Sequence, residues 1–509
     1  MVELIDSLGC LNGLSESFDP TFPTVAREKR MTVMEPLPPE ASAEKTLHFG
    51  VFEVMGPQVG GTYSWAHPRS DGRGYLDPQH WIRMARILED TGFDFLFFAG
   101  GYGYPMIDGD LPRVAVEKGI NFPGLDPDYL IPILAQHTDR LGYVVTQSTG
   151  LDHPAQLARR FATLDHLTGG RVGWNIVTGA SQNAVADVFG HETMVPHDTR
   201  YEMAAEYVEL AARLWETGWD DDAYVGDSAA GGFARREGVH RVTFEGAHYR
   251  SRGYFGSPPS PQRTPVLFQA GTSPAGRSFA ASNAECVFVQ ATTPSHTAKA
   301  VADIRRLAEE AGRDPRALKL MVGLTVFVGE TEEDARRYEA EFDAMQTDEI
   351  VASLYAGNTG IDLLSLDPDR TLHQVLDAGG PIGQMGTSNI ERFLGDADGN
   401  GAPTVREILD QLRGRGTRGF RIVGSPTQVA DQIESLIAAT DLDGFLIEPV
   451  FPPHDLEDFG RLVMPILRER GRLSDGEPGN TLRARLSETP GHDRLGSAHP
   501  VLAAPTTVS

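Results

Sequence analysis

Short apolar runs alternate with amphipathic stretches along this chain from Leu47 onward. Phe93–Ala99 (FDFLFFA) is apolar almost throughout, which is typical of a parallel strand buried on both faces. Asp77 and Pro78 precede apolar residues that recur at helical spacing, so a helix is predicted over Pro78–Thr91. This alternation of strand and helix patterns predicts the α/β fold class with a parallel sheet.

Eight strand–helix units can be counted in the pattern. The predicted strands are Leu47–Glu53, Phe93–Ala99, Leu141–Ser148, Arg171–Thr178, Pro265–Ala270, Cys286–Gln290, Leu320–Val328 and Gly444–Val450. The further predicted helices are Pro154–Leu167, Thr199–Glu216, two that start near Pro274 and Pro294, Gln428–Ala439 and Leu456–Arg470. This number of units predicts a (β/α)8 TIM barrel.

The chain divides into three parts by composition. Residues 1–45 are rich in Pro, Glu and Ser without sustained periodicity, which is typical of a disordered or loosely packed arm. Residues 46–475 carry the barrel pattern, with long insertions near 218–262 and 347–417 that are expected to form lids or subdomains. Residues 476–509 turn polar and are predicted to form a C-terminal tail.

Charge and composition exclude several classes of function. A net charge of −26 argues against a nucleic-acid partner, because phosphates need a basic surface. No apolar run reaches the roughly 18 residues of a membrane-spanning helix. The acidic start of the chain is unlike a secretory signal, and two cysteines cannot form a disulfide framework, so a reducing cytoplasm is predicted.

The segment Gly271–Gly276 (GTSPAG) follows a predicted strand and opens a predicted helix. Small residues let a ligand approach the backbone, and Pro274 suits a first helical turn. Free N–H groups at such a helix start are suited to bind phosphate. The alternative interpretation is a plain helix cap by Ser273.

A second candidate group lies at His197-Asp198-Thr199-Arg200-Tyr201, where an imidazole and a phenol at a helix start can donate hydrogen bonds to an anion. The alternative is a surface His197 and a core Tyr201. Thr146 and Asn175 come near the ends of two predicted strands, where barrel enzymes hold their active sites. A buried amide there must find hydrogen-bond partners, and a bound ligand with both donors and acceptors would offer them.

Two further patterns resemble metal-binding motifs, but details of each argue against a metal site. Residues 396–401 with Glu407 fit a calcium loop, but Pro403 lies inside it and Thr404–Leu409 has the pattern of a helix start. His191 and His197 lack zinc spacing, and Pro196 breaks the helix between them. No metal site is predicted.

The chain resembles the reduced-flavin two-component monooxygenases related to the nitrilotriacetate, EDTA and dibenzothiophene-sulfone enzymes, within the bacterial-luciferase-like barrels. The stretches that carry the resemblance are Arg160–Gly179 (RFATLDHLTGGRVGWNIVTG), His197–Tyr201, Phe268–Gly276 (FQAGTSPAG), Gly424–Ile433 (GSPTQVADQI) and Gly479–Leu486 (GNTLRARL). The resemblance implies a monooxygenase that uses reduced FMN and dioxygen on a small organic substrate. It also implies a separate NAD(P)H:flavin reductase as partner and a homodimer or homotetramer.

The resemblance implies roles for particular residues. Thr146 would contact the flavin ring region, and His197, Tyr201 and Ser273 would hold the ribityl chain and phosphate, with the Thr272 backbone assisting. Asn175 near the ring is a further expectation.

At the ring and substrate end the sequence departs from the family. Gly100 stands where the family usually has an Asp near the flavin. Ala66 in Trp65-Ala66-His67-Pro68 and Ala155-Gln156 after Pro154 replace the family's Arg and its Tyr-His. Trp65 and His67 are the substrate-side candidates, with packing of a lid as the alternative; no catalytic residue is assigned. These changes leave two alternative functions open. The chain could transfer hydride with a deazaflavin cofactor, or it could bind flavin without catalysing a reaction.

Overall fold

The computed structural model describes residues 45–503, apart from 60–61, 108, 180–181, 191–194, 228, 230, 272, 291–292, 378–389, 391–392, 395–400, 414–418, 475–478 and 480. The strands are β1 (His48–Glu53), β2 (Phe95–Phe98), β3 (Gly142–Ser148), β4 (Val172–Val177), β5 (Tyr224–Asp227), β6 (Gly232–Ala234), β7 (Arg241–Glu245), β8 (Arg250–Tyr254), β9 (Val266–Gln269), β10 (Cys286–Val289), β11 (Lys319–Val328), β12 (Phe420–Gly424) and β13 (Gly444–Ile447).

Eight parallel strands close into a barrel in the order β1, β2, β3, β4, β9, β10, β11, β13, with β13 pairing back to β1. Each of the eight overlaps one predicted strand, and most bounds differ by one or two residues. The (β/α)8 prediction is therefore confirmed. The largest difference is at the last strand, which was predicted to end at Val450 but ends at Ile447, two residues before Pro449.

The helices of the described residues cover the barrel and its insertions. They are α1 (Pro78–Thr91), α2 (Arg113–Lys118), α3 (Ile131–Ala135), α4 (Pro154–Thr168), α5 (Gln182–Phe189), α6 (His197–Thr217), α7 (Pro274–Asn283), α8 (Pro294–Glu310), α9 (Glu332–Met345), α10 (Asp348–Thr359), α11 (Leu372–Asp377), α12 (Val405–Leu412), α13 (Pro426–Thr440), α14 (His454–Leu462), α15 (Met464–Glu469), α16 (Leu482–Leu486) and α17 (Pro500–Ala503). Asp77 caps α1 by accepting from the Gln79 N–H, as its sequence suggested.

The single helix predicted over Leu456–Arg470 is wrong in one respect. The chain forms α14 and α15 instead, with Val463 between them. Pro465 explains the break, because it has no N–H to continue the hydrogen-bond ladder of the preceding turn.

Aromatic side chains fill the barrel interior. Phe95, Phe97 and Phe268 are buried there with aliphatic neighbours from the other strands. Gly50 makes room for this layer, since a β-carbon on it would lie 2.2 Å from the Phe95 ring. Gly173 does the same for Phe268, at 2.9 Å. The interior is therefore a packed core and not a channel.

The two insertions have their own structure. The first contains the hairpins β5–β6 and β7–β8. The second contains α10, α11 and α12 around a separate small core that includes Tyr355, Leu372 and Ile408. It returns through β12, which pairs with the second half of β11 outside the barrel.

The segment described from sequence as a C-terminal tail packs beneath the barrel. Leu482 and Leu486 of α16 belong to the interior cluster, and a β-carbon on Gly142 would lie 2.6 Å from Leu482. Arg483, only 1% exposed, donates to both oxygens of Glu285 at 2.7 and 3.0 Å. α16 thus closes the amino end of the strands. Residues 1–44 of the predicted arm lie outside the described residues.

Candidate active site

The upper end of the interior core forms a floor at the carboxyl ends of the strands. Phe52, Ala99 and Phe288 are half-buried and pack on the buried cluster below them. The Phe52 ring stacks against Phe97 at 5.4 Å and against Phe288 at 6.0 Å between centroids. This edge of a barrel is where active sites are built, and here its base is apolar and aromatic.

Thr146 and Asn175 lie side by side above this floor, on β3 and β4. The Asn175 amide donates to Thr146 Oγ1 at 2.9 Å, and that hydroxyl donates to the Phe98 carbonyl at 2.8 Å. Asn175 is 4% exposed, and its Oδ1 accepts no hydrogen bond from any described residue. A buried acceptor left open at a strand end is suited to a ligand N–H.

The start of α7 forms a tight backbone turn. Ser273 caps the helix by accepting from the Gly276 N–H at 3.1 Å, so the cap interpretation holds for its side chain. A β-carbon on Gly271 would lie 2.7 Å from the Gly276 Cα, and one on Gly276 would lie 2.8 Å from Tyr201 Oη. Two glycines are required because no side chain fits between these segments.

Tyr201 links the beginnings of α6 and α7. It lies one turn into α6, and its ring also contacts Phe279 at 5.8 Å. The structure therefore brings Tyr201 of α6 against Gly276 and Phe279 of α7, the helix that Ser273 caps. His197 is the first residue of α6, but its side chain and residue Thr272 lie outside the described part of the chain.

Gly100 faces open space at the end of β2. A β-carbon on Gly100 or Gly101 would meet no described atom within 4 Å. Glycine is therefore not required at either position by packing, in contrast to Gly276. The structure leaves room beside the floor at the position where the resemblance leads one to expect an Asp.

Trp65 and His67 lie on the loop after β1, and both contact other residues of the protein. Trp65 Nε1 donates to the Lys118 carbonyl at 3.0 Å. The His67 ring stacks on Phe451 at 4.0 Å, and its Nε2 lies 3.3 Å from Glu341. Burial lowers the pKa of His67. These contacts support the lid-packing alternative for the pair, and their role toward a substrate stays a prediction.

Glu448 is a residue of this site that the sequence analysis missed. It follows β13 directly, is 3% exposed, and accepts from Thr325 Oγ1 at 3.2 Å. The signal was present as a lone acid in the apolar run Gly444–Val450. Its partner Thr325 lies on another strand, and only the closed barrel shows that the two meet.

A second buried carboxylate lies just outside the barrel wall beside β3. Asp128 accepts from the Gln147 amide at 3.0 and 3.1 Å, and Arg160 Nε lies 3.5 Å away. Burial, followed by the neighbouring Asp126, raises the pKa of Asp128 to about 6. This group is therefore sensitive to pH near neutrality.

Metal binding gains no support from the described residues, which contain no group of three potential ligands. Glu407 of the calcium-like pattern forms a capping box with Thr404 at the start of α12, as the helix interpretation predicted. Residues 396–400 of that pattern lie outside the described residues. No described helix has the length and apolarity needed to span a bilayer.

Known proteins resemble this chain over most of its length. A family model described as luciferase-like monooxygenase matches residues 58–443. The dimethyl-sulfide monooxygenase of Hyphomicrobium sulfonivorans is 37% identical over 440 residues, 86% of this chain and 89% of that protein. The long-chain alkane monooxygenase of Geobacillus thermodenitrificans is 34% identical over 445 residues, 87% of this chain and 94% of that protein.

Solved structures give the same picture. Riboflavin lyase (RcaE), solved with modified FMN and riboflavin, superposes with a TM-score of 0.83 at 38% identity, covering 90% of this chain and 99% of that one. An F420-dependent secondary alcohol dehydrogenase reaches only 16% identity with a TM-score of 0.51, a likeness of fold alone.

Proposed function

This chain belongs to the luciferase-like monooxygenase family, and we propose that it uses reduced FMN and dioxygen to oxygenate a small organic substrate. The resemblance inferred from sequence is thereby confirmed at the level of the family. Two observations together carry the proposal. The starts of α6 and α7 meet at Tyr201 and Gly276, and the Asn175 amide oxygen at the end of β4 accepts no hydrogen bond from a described residue.

The phosphate of FMN would bind at the start of α7. Free N–H groups and the helix dipole favour an anion there, and the glycines keep side chains out of its way. The Ser273 hydroxyl can donate its proton to a phosphate oxygen while its lone pair accepts from the Gly276 N–H. Tyr201 and His197, at the start of the neighbouring helix, would donate to the phosphate and the ribityl chain.

The flavin ring would lie over the floor, beside Thr146 and Asn175. An isoalloxazine ring presents both N–H and carbonyl groups along one edge, and Asn175 Oδ1 can accept from such an N–H. Because the other side of Asn175 is fixed by Thr146, its open oxygen is already oriented before the ligand arrives. The room at Gly100 would lie on the ring and substrate side.

Reduced FMN supplies the chemistry, activating dioxygen so that one oxygen atom reaches the substrate. The residues of this chain bind, orient and exclude water. The aromatic floor formed by Phe52 and Phe288 keeps the lower side of the site dry, which protects reactive species from water. A separate NAD(P)H-dependent reductase would supply the reduced cofactor.

Binding of the cofactor tests this proposal directly. Anaerobic titration of the purified protein with reduced FMN should quench tryptophan fluorescence with a saturable curve. Asn175→Leu and Ser273→Ala should each weaken binding, whereas Ser435→Ala, on the exposed side of α13, should not. Absence of saturable quenching in the wild type would disprove the proposal.

A parallel titration with reduced F420 separates oxygenation from deazaflavin-dependent hydride transfer. Three relatives at 37, 34 and 32% identity are named dimethyl-sulfide, long-chain alkane and nitrilotriacetate monooxygenases, which favours FMN over the deazaflavin and over a barrel without catalysis. We further propose that the protein is cytoplasmic and forms a homodimer or homotetramer. Sedimentation of the purified protein measures the oligomeric state.

A further inference from the structure

The hairpin formed by β5 and β6, called the arm below, is open to water on both sides. Its two strands make a sheet of their own, and no other described strand pairs with them. Every residue of β5 is exposed. Tyr224 and Val225 are consecutive, so their side chains point to opposite sides of the strand, yet they are 53% and 49% exposed. Neither side of the arm is therefore covered by the described part of the chain.

The exposed side chains of the arm include large apolar groups. Phe233 of β6 is 68% exposed, and its ring meets the Tyr224 ring edge to face at 5.2 Å between centroids. This contact still leaves more than half of each residue in water. A two-stranded hairpin is only marginally stable in water unless it packs on another surface. Exposed apolar groups that adjoin one another are typical of an interaction site.

A basic surface lies beside the arm, on the second hairpin of the same insertion. Strands β7 and β8 bury Val242 and Phe244, and the alternate residues face outward. Two guanidinium groups lie over the exposed Tyr254 ring, at 5.3 and 5.2 Å from its centroid. The exposed arginines that define this basic surface are Arg236, Arg241, Arg250 and Arg252. Arginine and aromatic residues together are characteristic of protein interfaces.

The charge of the chain indicates which partner fits this surface. Arginines at an interface favour an acidic partner, and the chain as a whole has a net charge of −26. A second copy of this chain therefore supplies the complementary charge. At physiological ionic strength charges interact over only about 8 Å, so the pairs at the contact outweigh the repulsion between the two whole molecules. Two-fold pairing would also cover the arm of each copy with the other copy.

We propose that the arm and the basic surface form the contact between two copies of this chain. This inference rests on the homo-oligomer proposed above and assigns the surface through which it forms. Phe233 and Tyr224 lie at the centre of the contact, where aromatic residues contribute most of the binding energy. The arginines lie at its edge and pair with acidic side chains of the second copy. An apolar centre with a polar edge is the usual composition of a stable interface.

Sedimentation of the purified full chain over a range of concentrations measures the dissociation constant of the assembly. Phe233→Ser should raise that constant at least about tenfold, because removal of a central aromatic side chain has an effect of this size or larger. Leu76→Ser is the matched control. Leu76 is 66% exposed on the loop before α1, outside the insertion, and its replacement should leave the constant unchanged.

Charge reversal tests the edge of the contact. Arg252→Glu should also raise the dissociation constant, because it places a negative charge against the acidic second copy. The difference from the wild type should become smaller at about 1 M salt, where the screening length falls to about 3 Å. Arg406→Glu, which reverses an exposed arginine of α12, should have no such effect.

An unchanged dissociation constant in Phe233→Ser would place the contact elsewhere and overturn the inference, while the proposed homo-oligomer would stand. An unchanged constant in Arg252→Glu would remove the charge argument for a second copy and would overturn it too, as would equal weakening by Leu76→Ser. A wild type that sediments as a monomer at every concentration would overturn both claims. Because these side chains are exposed and lie outside the barrel, binding of reduced FMN should be unchanged in every variant, so the cofactor proposal is tested separately.

Discussion

The hydroxyl of Tyr201 lies within 2.8 Å of the position that a β-carbon on Gly276 would occupy. The two residues belong to different helices, and their contact holds the start of α6 against the start of α7. The same β-carbon would lie 2.9 Å from the Gly271 Cα, where the backbone cannot yield as a flexible side chain can.

Gly276→Ala should therefore damage the proposed cofactor site. The methyl group must displace Tyr201 or open the first turn of α7, and either movement removes donors from the position proposed for the FMN phosphate. We expect reduced FMN to bind at least about tenfold more weakly, or about 1.4 kcal/mol, in a fluorescence titration. Gly253→Ala on β8, whose β-carbon meets no described atom within 4 Å, is the matched control. Equal affinity of the two variants would contradict this account.

Gly100→Asp should leave the fold intact, because the new side chain enters open space. The free energy of unfolding should change by less than about 0.5 kcal/mol in urea denaturation. Gly50→Ala provides the contrast, since its β-carbon would lie 2.2 Å from the Phe95 ring. Overpacking of that kind costs about 1–3 kcal/mol. A large loss of stability in Gly100→Asp would show that the position is filled.

Arg483→Ala should strongly destabilise the protein. It leaves Glu285 as a buried carboxylate without its ion pair, and such a loss costs about 3–5 kcal/mol. The Arg483 guanidinium also donates to the Thr264 and Pro265 carbonyls at 2.9 and 3.0 Å. Arg306→Ala, which breaks exposed pairs on α8, should cost less than about 1 kcal/mol by the same denaturation measurement. Similar losses in both variants would refute the importance of α16.

Asp128→Asn should gain stability relative to the wild type as pH rises. Burial raises the pKa of Asp128 from its ordinary value of 3.8 to about 6. The native state therefore holds a proton that the unfolded chain releases between these values, so the stability that this group contributes is present below about pH 4 and lost by about pH 6. The asparagine escapes that loss, which is about 1–3 kcal/mol.

Urea denaturation at pH 4.5 and 7.5 measures this difference. The free energy of unfolding of Asp128→Asn, relative to that of the wild type, should be higher at pH 7.5 than at pH 4.5. Asp410→Asn, on an exposed part of α12, should show no such change between the two pH values. A difference in unfolding free energy that does not change with pH would disprove the raised pKa of Asp128.

Local patterns predicted most of the barrel because buried parallel strands and capped helices have signatures within a few residues. The eight strands and the start of α7 at Pro274 were found in this way. The tight turn proposed to bind phosphate could also be predicted from sequence, since Gly271, Ser273 and Gly276 lie in one short segment.

The rest depended on contacts between distant parts of the chain. Glu448 is bounded by Gly323 and Thr325 on another strand, and nothing near it in sequence shows that they meet. The packing of α16 was hidden for the same reason, because Arg483 looks like a polar surface residue until Glu285 is placed beside it. β12 was missed because its pairing partner β11 was already assigned to the barrel.

The position of α16 has a consequence for how the protein is made. Leu482 seals the lower end of the aromatic interior against Gly142, yet it comes 340 positions later in the chain and after all eight barrel strands. During synthesis the strands that surround that opening emerge without their cover, and their apolar lower ends are exposed to water and to other nascent chains. The lower end of the barrel can therefore close only after all eight strands have been made.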